Sequence, residues 1–500
     1  MTLPRSAENA KPTLPNPLGP PADPSRRASG PSHTAPRLGT GLRGRHVTML
    51  AISGAIGAGL FVGSGAGIQT AGPGILVSYA LAGLLMVLIM RMLGEMAVAQ
   101  PSSGSFSVYA EKALGCWAGF TVGWLYWWLL VVVVAAEATA AATIAHGWLP
   151  AVPQWGWVLL FMAVLTGVNL CSVGSFGEFE FWFGAIKIAA VVGFLVLGSL
   201  AVFGLLPDTD PVGLTHLTGH GGFLPHGVAG VLTGLLAVVF SFGGMELVTI
   251  AAAESDNPSE AVRKATRTVI VRLLVFYIGS IALMVLLLPW DSASEATSPF
   301  VSVLQHIGVP GSASLMNAVV LTSLLSALNA NLYGASRMAF SLAERGDAPH
   351  ALLRLARSGA PRRAVLASVS FGFAAVLLNF FAPDRVLPFL LNSIGAIILL
   401  VWIAIAVSQL RIRRAAERDP GTELTVRMWG YPWLTWVALV GMVGVLVLMC
   451  TDAGARTQLF SSGALTAAIL LVAGVRQLRG RRADRGAGSA RARRPRPPRQ

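Results

Sequence analysis

Six ionisable side chains lie inside long apolar runs of this 500-residue chain: Arg91, Glu95, Glu137, Lys187, Glu246 and Arg337. Charge is costly in hydrocarbon, so each is a candidate for function. Lys187, in Ala185-Ile186-Lys187-Ile188, carries an amine whose charged form desolvation disfavours, which suits it to exchange a proton near neutral pH. Its other reading is a lysine that reaches back to the membrane surface. Glu246 directly follows Gly243-Gly244-Met245 and either couples that stretch to a proton or accepts N–H groups freed there. Glu137 reads as a neutral acid or a carboxylate facing a cavity, and Glu95 as a structural or gating residue or a proton carrier. Arg91 and Arg337 lie near run ends, where snorkelling explains them. No histidine falls within a run, so a histidine relay is disfavoured. Cys116, Cys171 and Cys450 have no paired spacing, which suggests neither a disulfide framework nor a metal site. There is no HExxH and no GxSxG, so no catalytic residues, metal or cofactor are expected.

Glycine marks where such groups would meet. One run reads Ser53-Gly54-Ala55-Ile56-Gly57-Ala58-Gly59-Leu60-Phe61-Val62-Gly63, and another Phe240-Ser241-Phe242-Gly243-Gly244-Met245-Glu246. Each glycine costs about 1 kcal/mol of helix propensity against alanine, so several in one turn favour unwinding. Unwound backbone at bilayer depth survives only inside protein or beside a wet cavity. Free carbonyls at such a break attract an ammonium and free N–H groups a carboxylate, which suits a zwitterion. Phe240, beside the second break, could act as an aromatic lid. The alternative for Gly59, Gly63 and Gly67 is close helix packing. In a later run, Ser323, Ala327 and Ala330 form one stripe and Thr322, Ser326 and Asn329 another. The second stripe is a candidate to face the first break and hold a cation or the Lys187 ammonium; interhelical hydrogen bonding is the alternative.

The surrounding elements are membrane spans. The chain is 54% hydrophobic and only 12% charged, with a mean hydropathy of +0.65. A soluble domain carries about 25% charged residues, so a soluble enzyme is excluded. From residue 49 onward, apolar runs of roughly 20 residues repeat, each long enough to cross hydrocarbon. Twelve are expected, including 49–69, 183–205, 229–252, 314–340, 386–408 and 433–451. Runs one and six, the two rich in glycine, lead consecutive blocks of five; matched broken helices point to a transporter site between inverted repeats.

Lys and Arg set the expected orientation. Arg43, Arg45, Lys112, Arg263, Lys264, Arg267, Arg272, Arg345, Arg411 and Arg413 share one side, whereas the opposite loops hold only Arg385 and Arg456. Both termini are therefore expected in the cytoplasm. The net charge of +14 reads as a topology signal with anionic lipid as its partner, and no nucleic acid is expected. Residues 1–45, Pro-rich and polar without a signal-peptide core, and the Arg-rich 479–500 read as disordered tails.

The residues resemble a known family. Arg45-His46-Val47-Thr48-Met49, Gly57-Ala58-Gly59-Leu60-Phe61-Val62-Gly63-Ser64 and Ala71-Gly72-Pro73-Gly74 are similar to the first span of the amino acid–polyamine–organocation permeases. Met92-Leu93-Gly94-Glu95-Met96, Gly177-Glu178-Phe179-Glu180-Phe181-Trp182 with Lys187, Glu254-Ser255, Ser336-Arg337-Met338 and Arg345-Gly346-Asp347-Ala348-Pro349 match later segments. The resemblance covers about 43–478. Ile250-Ala251-Ala252-Ala253-Glu254-Ser255-Asp256, Ala406–Arg411 and Tyr431–Trp436 are nearest to bacterial γ-aminobutyrate permeases, with Ala58 shared and Gly59 departing from their serine.

This resemblance implies an all-α integral membrane protein with a LeuT-like 5+5 inverted repeat. Repeat 1 would span about 46–205, repeat 2 about 226–410, and two peripheral helices about 433–478. It implies proton-driven uptake of γ-aminobutyrate or a related small zwitterion through the cytoplasmic membrane. Ile56, Ala58 and Gly59 would line the carboxylate side, Phe240, Ser241 and Gly243 the ammonium side, and Lys187 would stand in for a sodium ion. Lys187, Glu246 and Glu137 are the candidates for proton coupling, and Gly57, Gly244, Glu95, Ser326 and Asn329 for structure and gating. Rival expectations are an aromatic, proline or basic substrate, or exchange. A sodium-coupled carrier is disfavoured because Lys187 would repel a second cation.

Overall fold

The computed structural model describes residues 42–492, apart from 55, 62, 172, 208–209, 220, 256, 293–297, 383–384, 387–389, 391–393, 395 and 419–423. Residues 1–41 of the expected N-terminal tail and the last eight residues, 493–500, lie outside the described residues, whereas 42–45, expected as the end of that tail, are ordered, with Leu42 bridged to Ser255 and a helix under way from Gly44.

Apolar sequence at bilayer depth must satisfy its own backbone, and helices do so within one segment. Among the described residues the chain is helical with no strand beyond one isolated bridge, Leu42 to Ser255. In chain order the helices begin α1 Gly44–Ser53, α2 Ala58–Phe61, α3 Gly63–Ala71, α4 Ile75–Ala99, α5 Ser105–Leu114, α6 Cys116–Trp148, α7 Gln154–Cys171 and α8 Val173–Val202. Then come α9 Thr215–Thr218, α10 Gly227–Ser241, α11 Leu247–Ala252 and α12 Pro258–Arg272, which runs through a π-helical turn at Leu273–Ile278 into α13 Gly279–Leu287. The rest are α14 Pro299–His306, α15 Ser312–Glu344, α16 Arg362–Phe381, α17 Ile397–Ala416, α18 Trp433–Met449 and α19 Ala453–Ala492.

Eight helical stretches among the described residues are long and apolar enough to cross a membrane. Their burial differs sharply. Of the most apolar part of α6, 72% is buried inside the protein, against 11% for α19. The centre is therefore α6 packed along α15, with α19 at the edge. The membrane-like part of α19 is Ala453–Leu478, and the helix continues to Ala492, where the sequence suggested a disordered tail from residue 479. Alanine and arginine are strong helix formers, and extending an existing helix is far easier than nucleating one.

The first glycine-rich run is not one helix. α1 stops at Ser53 and α2 begins at Ala58. The second also breaks: α10 stops at Ser241, residues 242–246 turn, and α11 starts at Leu247. Gly244 adopts φ +93°, a left-handed conformation that disfavours any residue with a Cβ. These two breaks bring the candidate residues together.

Candidate functional site

The carbonyls freed at the end of α1 all find donors. Leu50 O accepts the Gly54 N–H at 2.7 Å. Ala51 O and Ile52 O accept from Arg272 Nη1, the latter at 3.3 Å. Ser53 O takes the Ile56 N–H at 2.9 Å and Lys187 Nζ at 3.1 Å. Ile56 O accepts from Lys187 Nζ at 3.0 Å and Ser323 Oγ at 2.8 Å. A buried helix end without such partners would be strongly destabilised. Two cations from distant helices thus hold the C-terminal end of α1, where the helix dipole favours positive charge.

Lys187 is fully buried, so it does not reach the membrane surface. Arg272, counted from the sequence among the cytoplasmic cations, is buried as well. Its neighbours were the missed signal: Val269-Ile270-Val271 precede it and Leu273-Leu274-Val275 follow.

The breaks meet at Gly59 and Ser241. Ser241 Oγ donates to Gly59 O at 2.9 Å. A Cβ built on Gly59 would lie 2.6 Å from Ser241 Cα, so only glycine lets the two backbones approach this closely. Beside this crossing lies a cavity of about 60 Å³. Gly57, Gly59, Ser241, Gly243, Gly244 and the carboxylate-bearing Glu137 and Glu246 line it. Glu246 Oε1 accepts the Gly244 N–H at 3.3 Å, and the Tyr126 hydroxyl and Trp402 indole face its carboxylate. Glu137 stands over Gly57, where a Cβ would come within 3.3 Å of Oε1. Tyr126 and Asn331 complete the polar part of the wall, with the methyl group of Ala327 beside them.

Other candidates lie elsewhere. Ile56 contributes its carbonyl, and its side chain is buried away from the cavity. Ala58 opens α2 and Phe240 lies near the end of α10, but both side chains fall outside the described residues. Ser326 and Asn329 do not face the first break. Ser326 Oγ donates to Glu180 Oε1 at 2.8 Å, and Asn329 Oδ1 accepts from Asn169 Nδ2 at 2.8 Å. The stripe at the break is instead Ser323 with Ala327. At about 100° per residue, Ser326 is turned roughly 60° from Ser323, enough to present it to α8 rather than to span one.

Glu180 is a buried carboxylate that the span boundaries hid, because the fifth run was started at 183. It stands two turns before Lys187 on α8, a spacing that puts both on one face. Its charge, with that of Glu137, is within reach of the ammonium.

Glu95 lies outside the cavity. It accepts from Gln409 Nε2 at 3.1 Å and from the Met428 N–H, and pairs with Arg413 Nη1 at 3.4 Å. It ties the C-terminal end of α4 to α17 and the segment before α18. Arg337 does not snorkel. It is buried, pairs with Glu254 at 3.0 Å and lies 3.8 Å from the centre of the Tyr333 ring. Arg91 keeps a half-exposed position with its Nε on Arg427 O at 2.9 Å.

The two broken helices thus cross beside a small cavity lined by glycines and two carboxylates. Residues 46–477 match the amino acid permease family. The chain belongs to that family. It is 51% identical over 430 residues to the γ-aminobutyric acid permease of Bacillus subtilis, covering 86% of this chain and 92% of that protein. It is 48% identical to the γ-aminobutyric acid permease of Escherichia coli, covering 88% and 95%. It is also 46% identical to the aromatic amino acid transport protein AroP of Corynebacterium glutamicum, covering 85% and 92%. These relatives are transporters, so this permease is a multi-pass membrane protein that moves amino acids and is not an enzyme.

Proposed function

We propose that this permease imports γ-aminobutyrate or a related small zwitterion, driven by protons. The observation that carries this reading is Lys187 bonded to the carbonyls of Ser53 and Ile56. An ammonium on those carbonyls occupies the place a coupling cation would take. Losing its proton would release the end of α1, and regaining it would restore the grip. Glu180 and Glu137 are the acidic groups positioned to exchange that proton, and Glu246 steadies the second break through the Gly244 N–H.

The substrate carboxylate would lie against the backbone of Ile56, Ala58 and Gly59, and the amino group against Phe240, Ser241 and Gly243. The small cavity volume favours a slim, flexible solute. Two repeats of opposite orientation, about 46–205 and 226–410, would rock around this point, with α18 and α19 outside the moving parts. Twelve spans in the cytoplasmic membrane with both termini inside complete the arrangement.

The identity to an aromatic amino acid transport protein supports a second reading, an aromatic substrate. Uptake into proteoliposomes, with and without an imposed pH gradient, tests both. Accumulation of γ-aminobutyrate that collapses with the pH gradient and resists excess phenylalanine is the expected result. Accumulation driven equally by sodium overturns the coupling, and displacement by phenylalanine alone overturns the substrate.

A further inference from the structure

A groove of about 650 Å³, which shares no lining residue with the solute cavity, lies between α4, α12 and Trp429. Four cations line it: Arg91, Arg263, Lys264 and Arg267. The one carboxylate there, Glu260, already accepts from Asn257 Nδ2 at 3.0 Å. Arg91 is spent on Arg427 O and on the Trp429 ring, 4.9 Å from its guanidinium. Arg263, Lys264 and Arg267 are exposed, and among the described residues none has an anionic partner. Like charges gathered on one wall repel one another unless an anion joins them.

The groove also has an apolar side. One turn beyond Arg267 on the same face stands Val271, 60% exposed, followed by Leu274 and Val275, also exposed. Leu81 and Leu84 of α4 are exposed as well. Such a surface meets lipid tails, so the cations lie at the depth of lipid headgroups. Trp429, 45% exposed, marks the same level, as tryptophan does at membrane interfaces.

We propose that this groove binds the phosphate of an anionic phospholipid, with the acyl chains running down the apolar face of α12. A free phosphate would satisfy the cations but not the adjoining apolar band. The groove shares no residue with the solute cavity yet is joined to it mechanically. α12 ends in Arg272, which holds Ala51 O and Ile52 O of α1, so lipid seated on α12 would steady the inner half of the first broken span.

Native mass spectrometry of the full-length permease, in mixed micelles of phosphatidylglycerol and phosphatidylcholine, tests the proposal. The wild-type chain should retain phosphatidylglycerol about tenfold or more over phosphatidylcholine. The triple variant R263Q/K264Q/R267Q should lose most of that preference, whereas R263K/R267K should keep it. A second triple variant, R354Q/R357Q/R363Q, removes charge from another exposed basic stretch and should behave as wild type. If it loses the preference equally, general surface charge is responsible and the groove is not a site. If inorganic phosphate at millimolar concentration abolishes retention and raises the melting temperature without lipid, the ligand is a free phosphate and the lipid assignment is overturned. Size-exclusion profiles and melting temperatures of each variant separate misfolding from lost binding. A well-folded triple variant that retains the lipid also overturns the proposal.

Discussion

Gly59 and Ser241 cross so closely that the hydroxyl of one donates to the carbonyl of the other at 2.9 Å, with no room for a methyl group between the chains. This contact locks the two interrupted spans to each other beside the cavity. Replacing Gly59 with alanine would push against backbone, which cannot rotate away. Overpacking of this kind costs about 1–3 kcal/mol. G59A should therefore reduce uptake about tenfold or more while the chain still reaches the membrane. Vesicle uptake normalised to membrane-inserted protein checks this, and undiminished transport would show that the close approach is dispensable.

Lys187 should separate coupling from movement of solute. K187A should lose accumulation driven by a pH gradient but keep counterflow between preloaded and external substrate. E180Q should weaken the response to the gradient without abolishing counterflow, because it removes a charge and keeps the hydrogen bond to Ser326. Gradient-driven accumulation by K187A equal to wild type would remove this lysine from the coupling step.

The Arg337–Glu254 pair should matter for stability. Taking away one partner of a buried ion pair leaves an uncompensated charge and costs about 3–5 kcal/mol. R337M should melt well below wild type in detergent, and E254Q should do likewise. R337M/E254L should recover part of the loss, since neither charge then remains. A double variant as unstable as the sum of the singles would argue that Tyr333 and its stacking on Phe176, at 4.0 Å, hold the region instead.

Glu95 should act where α4 meets α17 and the segment before α18, not at the solute cavity. Removing its carboxylate orphans the Met428 N–H and the Gln409 amide, at roughly 1–3 kcal/mol for each buried polar group. E95A should lower the melting temperature and raise protease sensitivity between α17 and α18. The rank order of competing substrates should be unchanged, and limited proteolysis beside a competition panel measures both. A changed rank order would tie Glu95 to the solute site.

The two interruptions were legible from composition, because Gly54, Gly57 and Gly59 in one run and the Gly243-Gly244 pair in the other weaken the helix, and unwound backbone at that depth must then be buried in protein or line a cavity. Which side chains would repair the broken ends was not legible. Ser53 is separated from Lys187 by 134 residues, and Ala51 from Arg272 by 221, so nothing local records that they meet. Hydropathy windows also misjudged their edges. A boundary drawn at 183, ten residues after α8 begins, concealed Glu180, and Arg272 looked like a cytoplasmic charge because many lie nearby. Helical phase was the other failure, since two stripes on α15 fit the periodicity equally and only packing against α1 and α8 chooses between them.

The amino-acid sequence by itself determined that the chain lives in a membrane, that it is helical, and that its first and sixth apolar runs are interrupted. Those properties follow from hydrophobic content and backbone propensity, which act over a few residues. Tertiary structure alone decided that Lys187, Arg272 and Ser323 cap the first interruption, that Gly59 abuts Ser241, and that Ser326 turns to Glu180. The reason is that a buried carbonyl takes whichever donor the packing of distant helices brings within about 3 Å.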